Sequence, residues 1–134
     1  MAIRISSSHF SDEIRKMLND YGGEVAQRMR GCVLQVAKDT AKELRQTSPV
    51  GSSGDYAKNW AYKPYKVHDF ISDYVVYNKK PTYRVAHLVE KGHAEPRAKR
   101  GKKYVDGKPH IKPAELKAME KLEKDLREEL EAIK

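Results

Sequence analysis

The chain has 134 residues, a length that suits one domain spanning 1–134, because a second hydrophobic core would have too little material. Hydrophobic residues make up 39% and charged residues 34%, and the 27 basic against 19 acidic side chains give a formal charge of +8. No run approaches the roughly 20 apolar residues that a membrane span needs, the N-terminus has no signal-peptide pattern, and the single cysteine, Cys32, excludes an intrachain disulfide, so the sequence predicts a soluble cytosolic protein.

Met1 to Ser6 alternates Ile3 and Ile5 with Arg4, which predicts a short strand before a serine-rich turn. Ser11, Asp12 and Glu13 provide a capping hydroxyl and first-turn acids. From there Ile14, Leu18, Tyr21, Val25, Met29, Val33, Val36, Thr40 and Leu44 recur at spacings of three and four, predicting one long helix over about 12–46 with a kink at Gly22 and Gly23. Cys32 lies in this pattern as a buried structural thiol. Ser48-Pro49 ends the helix, since proline disfavours helical geometry at the residue before it. Pro49 to Asp55 (PVGSSGD) reads as a loop in which Gly51 and Gly54 can adopt positive φ.

Trp60, Tyr62, Tyr65 and Val67, then Tyr74 to Tyr77, predict a hairpin around a polar turn at 68–73, interrupted by Pro64. Tyr83 to Glu90 places Val85, Leu88 and Val89 at near-helical spacing, a short helix ending at Gly92. Residues 91–112 carry 8 basic against 2 acidic side chains, so the positive excess concentrates there. Lys91 to Lys108, with Gly101, Gly107 and Pro96 among its cations, cannot bury enough apolar surface to fix itself and reads as a mobile basic loop. Pro113 suits the first turn of a final helix with an apolar stripe of Leu116, Met119, Leu122, Leu126, Leu130 and Ile133. The fold class is α+β: a long N-terminal helix and a C-terminal helix packed on a small, mainly antiparallel sheet, with a flexible basic loop.

The candidate chemistry is sparse. His87, Glu90 and His93 are spaced by three, but a helix ending at Gly92 separates them and no second cysteine or HExxH motif completes a zinc set. Ser52, Ser53 and Cys32 lack an activated-nucleophile motif, and the GSSG turn lacks the lysine of a phosphate loop. The expectation is therefore a non-enzyme with no catalytic residues, no metal and no cofactor. Trp60 with Tyr56, Tyr62 and Tyr65 fits a stacking platform for single-stranded nucleic acid, or, as the favoured reading, sheet packing. The basic segment fits either phosphate neutralisation or a solvated loop.

The order of segments carries more than any one of them. A helix-ending Pro49-Val50, a glycine turn leading into a strand, a tyrosine-rich turn running into Val89-Glu90-x-Gly92, and a late Pro109-His110-x-x-Pro113-Ala114 follow in sequence. In this order the chain resembles the Hong Kong 97-type gene-product-ten family of tailed-phage morphogenesis proteins, also described as head-tail joining or tail-completion proteins; its GSSG turn is longer than the usual aspartate-threonine-glycine turn. The resemblance implies a structural subunit of the virion neck, at the head-tail interface, made in the host bacterial cytoplasm and assembling as a homo-oligomeric ring, six-fold in symmetry, with other neck or tail proteins. Pro49, Val50, Glu90, Gly92, Pro109, His110, Pro113 and Ala114 are its landmarks. Lys91, Arg97, Lys99, Arg100, Lys102, Lys103 and Lys108 would then form an assembly loop or make non-specific contact with double-stranded DNA in the lumen, with no membrane partner. The alternative expectation is a DNA-binding module that uses residues 91–112.

Overall fold

The apolar stripe of the predicted long helix organises the core. In the computed structural model, which describes residues 2–5, 16, 23–50, 53–67, 72–95 and 103–133, helix α1 spans Gly23–Thr47. Its Met29, Val33, Val36, Ala37, Thr40, Ala41 and Leu44 are all buried, the spacing of three and four that one helix face requires. Each fully buried valine or leucine there contributes about 1.5–3 kcal/mol relative to an exposed one. The Ser48 amide still donates to the Leu44 carbonyl (2.9 Å), and Pro49 follows, so the helix stops where the sequence predicted. The N-terminal part of the predicted helix, the kink glycine Gly22 and the stripe residues Ile14, Leu18 and Tyr21 lie outside the described residues.

Three antiparallel strands lie against α1. β1 (Ile3–Ile5), β2 (Trp60–Val67) and β3 (Ser72–Asn78) form a sheet in the order β1-β3-β2. Ile3 faces Val76, which faces Tyr62, and these align on the side that carries the buried Ile5 and Trp60. Arg4, Val75 and Lys63 align on the opposite side. The register shifts between Pro64 and Val67, as the missing proline donor dictates. Arg4 closes on the fully buried Asp73 carboxylate at 2.9 Å, which offsets the cost of burying that charge.

Between α1 and β2 the chain forms a one-turn helix, α2 (Asp55–Lys58), where the sequence reading had only a loop ending at Asp55. Gly54 enters it at φ 72, a left-handed conformation that glycine adopts without steric cost. The turn inserts Tyr56 and Ala57 into the interior.

After β3, a 3-10 turn (Thr82–Val85) leads into α3 (Ala86–Lys91), which ends on Gly92 at φ 88 and ψ 168, a backbone conformation open essentially to glycine. The predicted short helix ending at Gly92 is present, though its buried residues are not the apolar ones whose spacing announced it. Val85 is 40% exposed and Leu88 and Val89 are only half-buried, whereas Ala86 and Glu90 are buried. The helix is pulled round by its glutamate, for reasons given below.

A second correction concerns the basic segment. Its flanks are not loop: β4 (Gly92–Glu95) and β5 (Lys103–Asp106) pair antiparallel, with Gly92 opposite Asp106 and Glu95 opposite Lys103. Composition argued against a packed core here, but a ladder of backbone hydrogen bonds does not need one in the same measure. The intervening residues 96–102 lie outside the described residues, and with them the predicted mobility of the loop.

The last helix, α4 (Ile111–Ile133), packs along α1 and against β1. Its buried face is Ile111, Ala114, Ala118, Leu122 and Leu126. Leu116, placed in the stripe by the sequence reading, is 51% exposed, because at 100° per residue it sits about 120° round the axis from Leu122. Two alanines instead let the helices approach closely. Lys117–Glu43 (2.8 Å), the close pair Lys121–Asp39, and Arg28–Glu129 (3.6 Å) line the seam. The hydrogen bond from Lys121 holds the Asp39 carboxyl below the usual range. The architecture is α+β, helices on small antiparallel sheets.

Candidate functional site

The sequence landmarks converge on one buried polar cluster at the start of α4. The first amides of a helix have no partner inside it, and a carboxylate placed there satisfies them while meeting the positive end of the helix dipole. Here that carboxylate comes from another helix. Glu90 Oε1 accepts from the amides of His110 (2.6 Å) and Ile111 (2.9 Å), and Oε2 from Lys112 (2.9 Å). Burial alone would raise the Glu90 carboxyl, but the three backbone donors and the nearby His110 outweigh it and hold the group below the ordinary range.

His110 is fixed on every side. Its Nδ1 lies 2.7 Å from the Lys108 carbonyl and 3.0 Å from Glu90 Oε1, both acceptors, so Nδ1 carries a proton. Its Nε2 lies 2.6 Å from the Tyr56 hydroxyl. The Tyr56, His110 and Trp60 rings meet edge to face, with centroids 5.5–6.3 Å apart. Burial first, and the charge of Glu90 second, push the Tyr56 hydroxyl well above the ordinary phenol range, so it stays a neutral donor or acceptor.

The cluster reaches the rest of the fold through single hydrogen bonds. Trp60, 1% exposed, donates from Nε1 to the Ser48 hydroxyl (2.8 Å), tying strand β2 to the end of α1. Arg45 holds the Trp60 carbonyl at 2.9 Å. Asn78 donates to the Tyr56 carbonyl (2.8 Å), and the Thr82 hydroxyl joins Asn78 and Asn59, closing β3 and the 3-10 turn onto α2.

Two glycines make the approach feasible. Gly92 supplies the positive φ that turns α3 into β4. At Gly107, an added Cβ would sit 2.4–2.6 Å from the backbone of Glu90, Lys91 and Gly92, so the returning chain passes directly over the end of α3. The Lys108 amide then donates to the Val89 carbonyl (2.8 Å). The Glu-x-Gly box and the late proline motif are thus two halves of one structural lock.

The other expected residues distribute as follows. Pro49 is half-buried and Val50 is 76% exposed just beyond α1; Pro109 and Pro113 are exposed and Ala114 is buried. Lys91 and Lys108 are exposed at the base of the β4–β5 hairpin and Lys103 lies in β5, while Arg97, Lys99, Arg100 and Lys102 are outside the described residues. Trp60 and Tyr56 belong to the interior, Tyr62 is half-buried, and Tyr65 is exposed beneath the Arg4 guanidinium (4.9 Å), so the four rings form no common platform. Of the metal trio, His87 is exposed, Glu90 has both oxygens on backbone amides, and His93 Nδ1 is buried without a hydrogen-bond partner; among the described residues no group of three candidate ligands gathers. Cys32 is only half-buried, at the edge of the core, a correction to the buried thiol expected. Burial first, then the carboxylates of Glu129, Asp125 and Glu128, push its thiol up to about 11, so little nucleophilic thiolate forms at neutral pH.

Sequence reading missed Tyr56, Ser48, Asn78 and Gly107 as members of the cluster. The available signal was a buried-type tyrosine and tryptophan four apart, followed by a Gly-Lys-Pro-His run preceding a helix without its own capping side chain.

Among the described residues no helix is long and apolar enough to cross a membrane. Comparison with known proteins gives one family: residues 12–92, well over half of the chain, match the HK97-gp10-like profile, described as "Bacteriophage HK97-gp10, putative tail-component". Neither the curated proteins nor the solved structures yielded a match. The matched region ends at Gly92, so Glu90 falls inside it and the amides that Glu90 caps fall beyond it. With its helix end, strand pair and Glu-x-Gly box in the matched order, the chain belongs to the HK97-gp10-like family of bacteriophage tail components.

Proposed function

We propose that the protein is a non-catalytic structural subunit of the tailed-phage neck, one joining domain that completes the tail and links it to the portal-connector complex as a homo-oligomeric ring. The observation that carries this reading is the family match over residues 12–92. The Glu90 lock is consistent with it: a buried carboxylate whose oxygens are spent on helix amides stabilises a frame and leaves no group poised for chemistry. Assembly takes place in the host cytoplasm, and the subunit ends in the virion neck beside other neck or tail proteins. DNA passes through the lumen of such a ring, where lysines of the basic hairpin can neutralise phosphates without reading sequence.

The test is reconstitution. Purified protein added to an extract of phage lacking its gene should restore head-tail joining and raise infectious titre by orders of magnitude. An extract that is equally infectious without the addition would sink the proposal. The second reading, a free-standing DNA-binding module, is motivated by the 8 basic against 2 acidic side chains of residues 91–112. It requires duplex affinity that falls steeply with salt and is lost when Lys99, Arg100, Lys102 and Lys103 become glutamine.

A further inference from the structure

Where β3 runs into the 3-10 turn, a groove of about 440 Å³ is lined chiefly by Lys63, Tyr77, Lys79, Lys80 and Tyr83, and no carboxylate lines it. All three lysines are exposed. Other cations of the chain are neutralised from within: Lys117 pairs with Glu43, Lys121 with Asp39, Arg127 with Glu123 and Arg4 with Asp73. Among the described residues, Lys63, Lys79 and Lys80 have no such carboxylate partner. Three uncompensated positive charges around one concavity favour an anionic occupant.

The groove is also set in advance. The Lys79 amide donates to the Asn59 carbonyl (2.9 Å), and the Lys79 carbonyl accepts from the Tyr83 amide and the Thr82 hydroxyl, each at 3.2 Å. The turn that carries Lys79, Lys80 and Tyr83 is therefore held before a ligand arrives, so binding has little backbone left to order. The aromatic rings decide the kind of anion. Lys63 Nζ lies 4.6 Å from the centre of the Tyr77 ring, and the Arg84 guanidinium 5.7 Å from that of Tyr83. A nucleic-acid base would have to displace one of these cations to stack, which removes the contact that single-strand binding relies on. A duplex gains affinity with each phosphate neutralised, and a short groove covers few of them. Carboxylates need no ring face: they meet the ammonium groups from the open side, and the tyrosine hydroxyls can donate to them.

We propose that this groove binds an acidic, extended segment of another polypeptide, with Lys63, Lys79 and Lys80 on its carboxylates and the ring of Tyr83 packed against its chain. Tyrosine beside cations is the composition of interface centres. The inference goes beyond the joining role and is independent of it, since it concerns the chemistry of one surface and needs no ring.

A short oligoglutamate peptide is the probe. Titrated into isotope-labelled full-length protein, it should shift the amide resonances of Lys63, Tyr77, Lys79, Lys80 and Tyr83 and leave those of the helices in place. Lys63→Gln with Lys79→Gln and Lys80→Gln should weaken binding about tenfold, the sum expected of three exposed ion pairs. Lys38→Gln with Lys42→Gln and Lys124→Gln, the same change in net charge at exposed helical positions, should leave it as it was. The shift map uses wild-type protein, so it stands whether or not a variant folds. Absence of shifts at the groove, shifts centred on the β4–β5 hairpin instead, or equal weakening by the two triple variants overturns the proposal. So does oligothymidylate that shifts the same resonances and binds more tightly than oligoglutamate, which would make the groove a nucleic-acid site.

Discussion

At the residue scale, Glu90 is where the fold concentrates most of its specificity. One carboxylate satisfies three amides that would otherwise be buried without partners. Removing it in Glu90→Ala should cost about 3 kcal/mol, since each orphaned buried donor carries a penalty of about 1–3 kcal/mol that partial hydration relieves. Urea unfolding checks this; a loss under about 0.5 kcal/mol would mean the cap contributes little. The pH dependence follows from the sign of the shift. The folded Glu90 carboxyl is held below its unfolded value, so its contribution is complete above about pH 4.5 and is lost as pH falls through the lower folded pKa. The stability gap between wild type and Glu90→Gln should therefore narrow steadily on acidification, as read from unfolding midpoints across that window.

Gly107 makes a different residue-scale demand. A methyl group there meets the backbone of residues 90–92, and backbone cannot rotate away as a side-chain end can. Gly107→Ala should destabilise by about 2 kcal/mol or more, with the loss localised by hydrogen exchange to the base of the β4–β5 hairpin. Uniform exchange throughout the chain would contradict that assignment.

At the scale of elements, the seam between α1 and α4 depends on small residues. Ala118→Leu should cost about 1–3 kcal/mol by overpacking, while Leu116→Gln should stay within about 0.5 kcal/mol, the reverse of what hydrophobicity alone would rank. Thermal unfolding of the two variants decides it. This inversion also marks how far the sequence could be read. The α1 stripe from Met29 to Leu44 was legible because periodicity, helix end and burial agree. The β2–β3 hairpin was legible because branched and aromatic residues flank a polar turn. On α4 Leu116 misleads, because steps of three drift round the helix while Ala114, Ala118 and Leu122 hold the contact. The buried face of α3 was hidden for a related reason: a buried glutamate, unforeseeable without its partner amides twenty residues on, outweighs Val85. The β4–β5 pairing was hidden by lysines, whose charge says little about backbone hydrogen bonds. The motif positions themselves were visible, but not that Glu90 and His110 touch, because contact between distant segments is not written in local spacing.

For the whole molecule, the cluster of Glu90, His110, Tyr56 and Trp60 fixes the start of α4 against the end of α1 and strand β2. The proposed ring role would call for a stiff frame, because a ring would multiply any error in the angle between copies. The same rigidity explains why the landmarks of the family are packing and turn residues rather than chemically reactive ones. The most direct measurement is electron microscopy of lysates from a phage whose copy of this gene has been deleted. The account predicts filled heads and separate tails with few joined particles, restored by wild-type protein supplied in trans. Normal numbers of joined, infectious particles in the deletion lysate would contradict it.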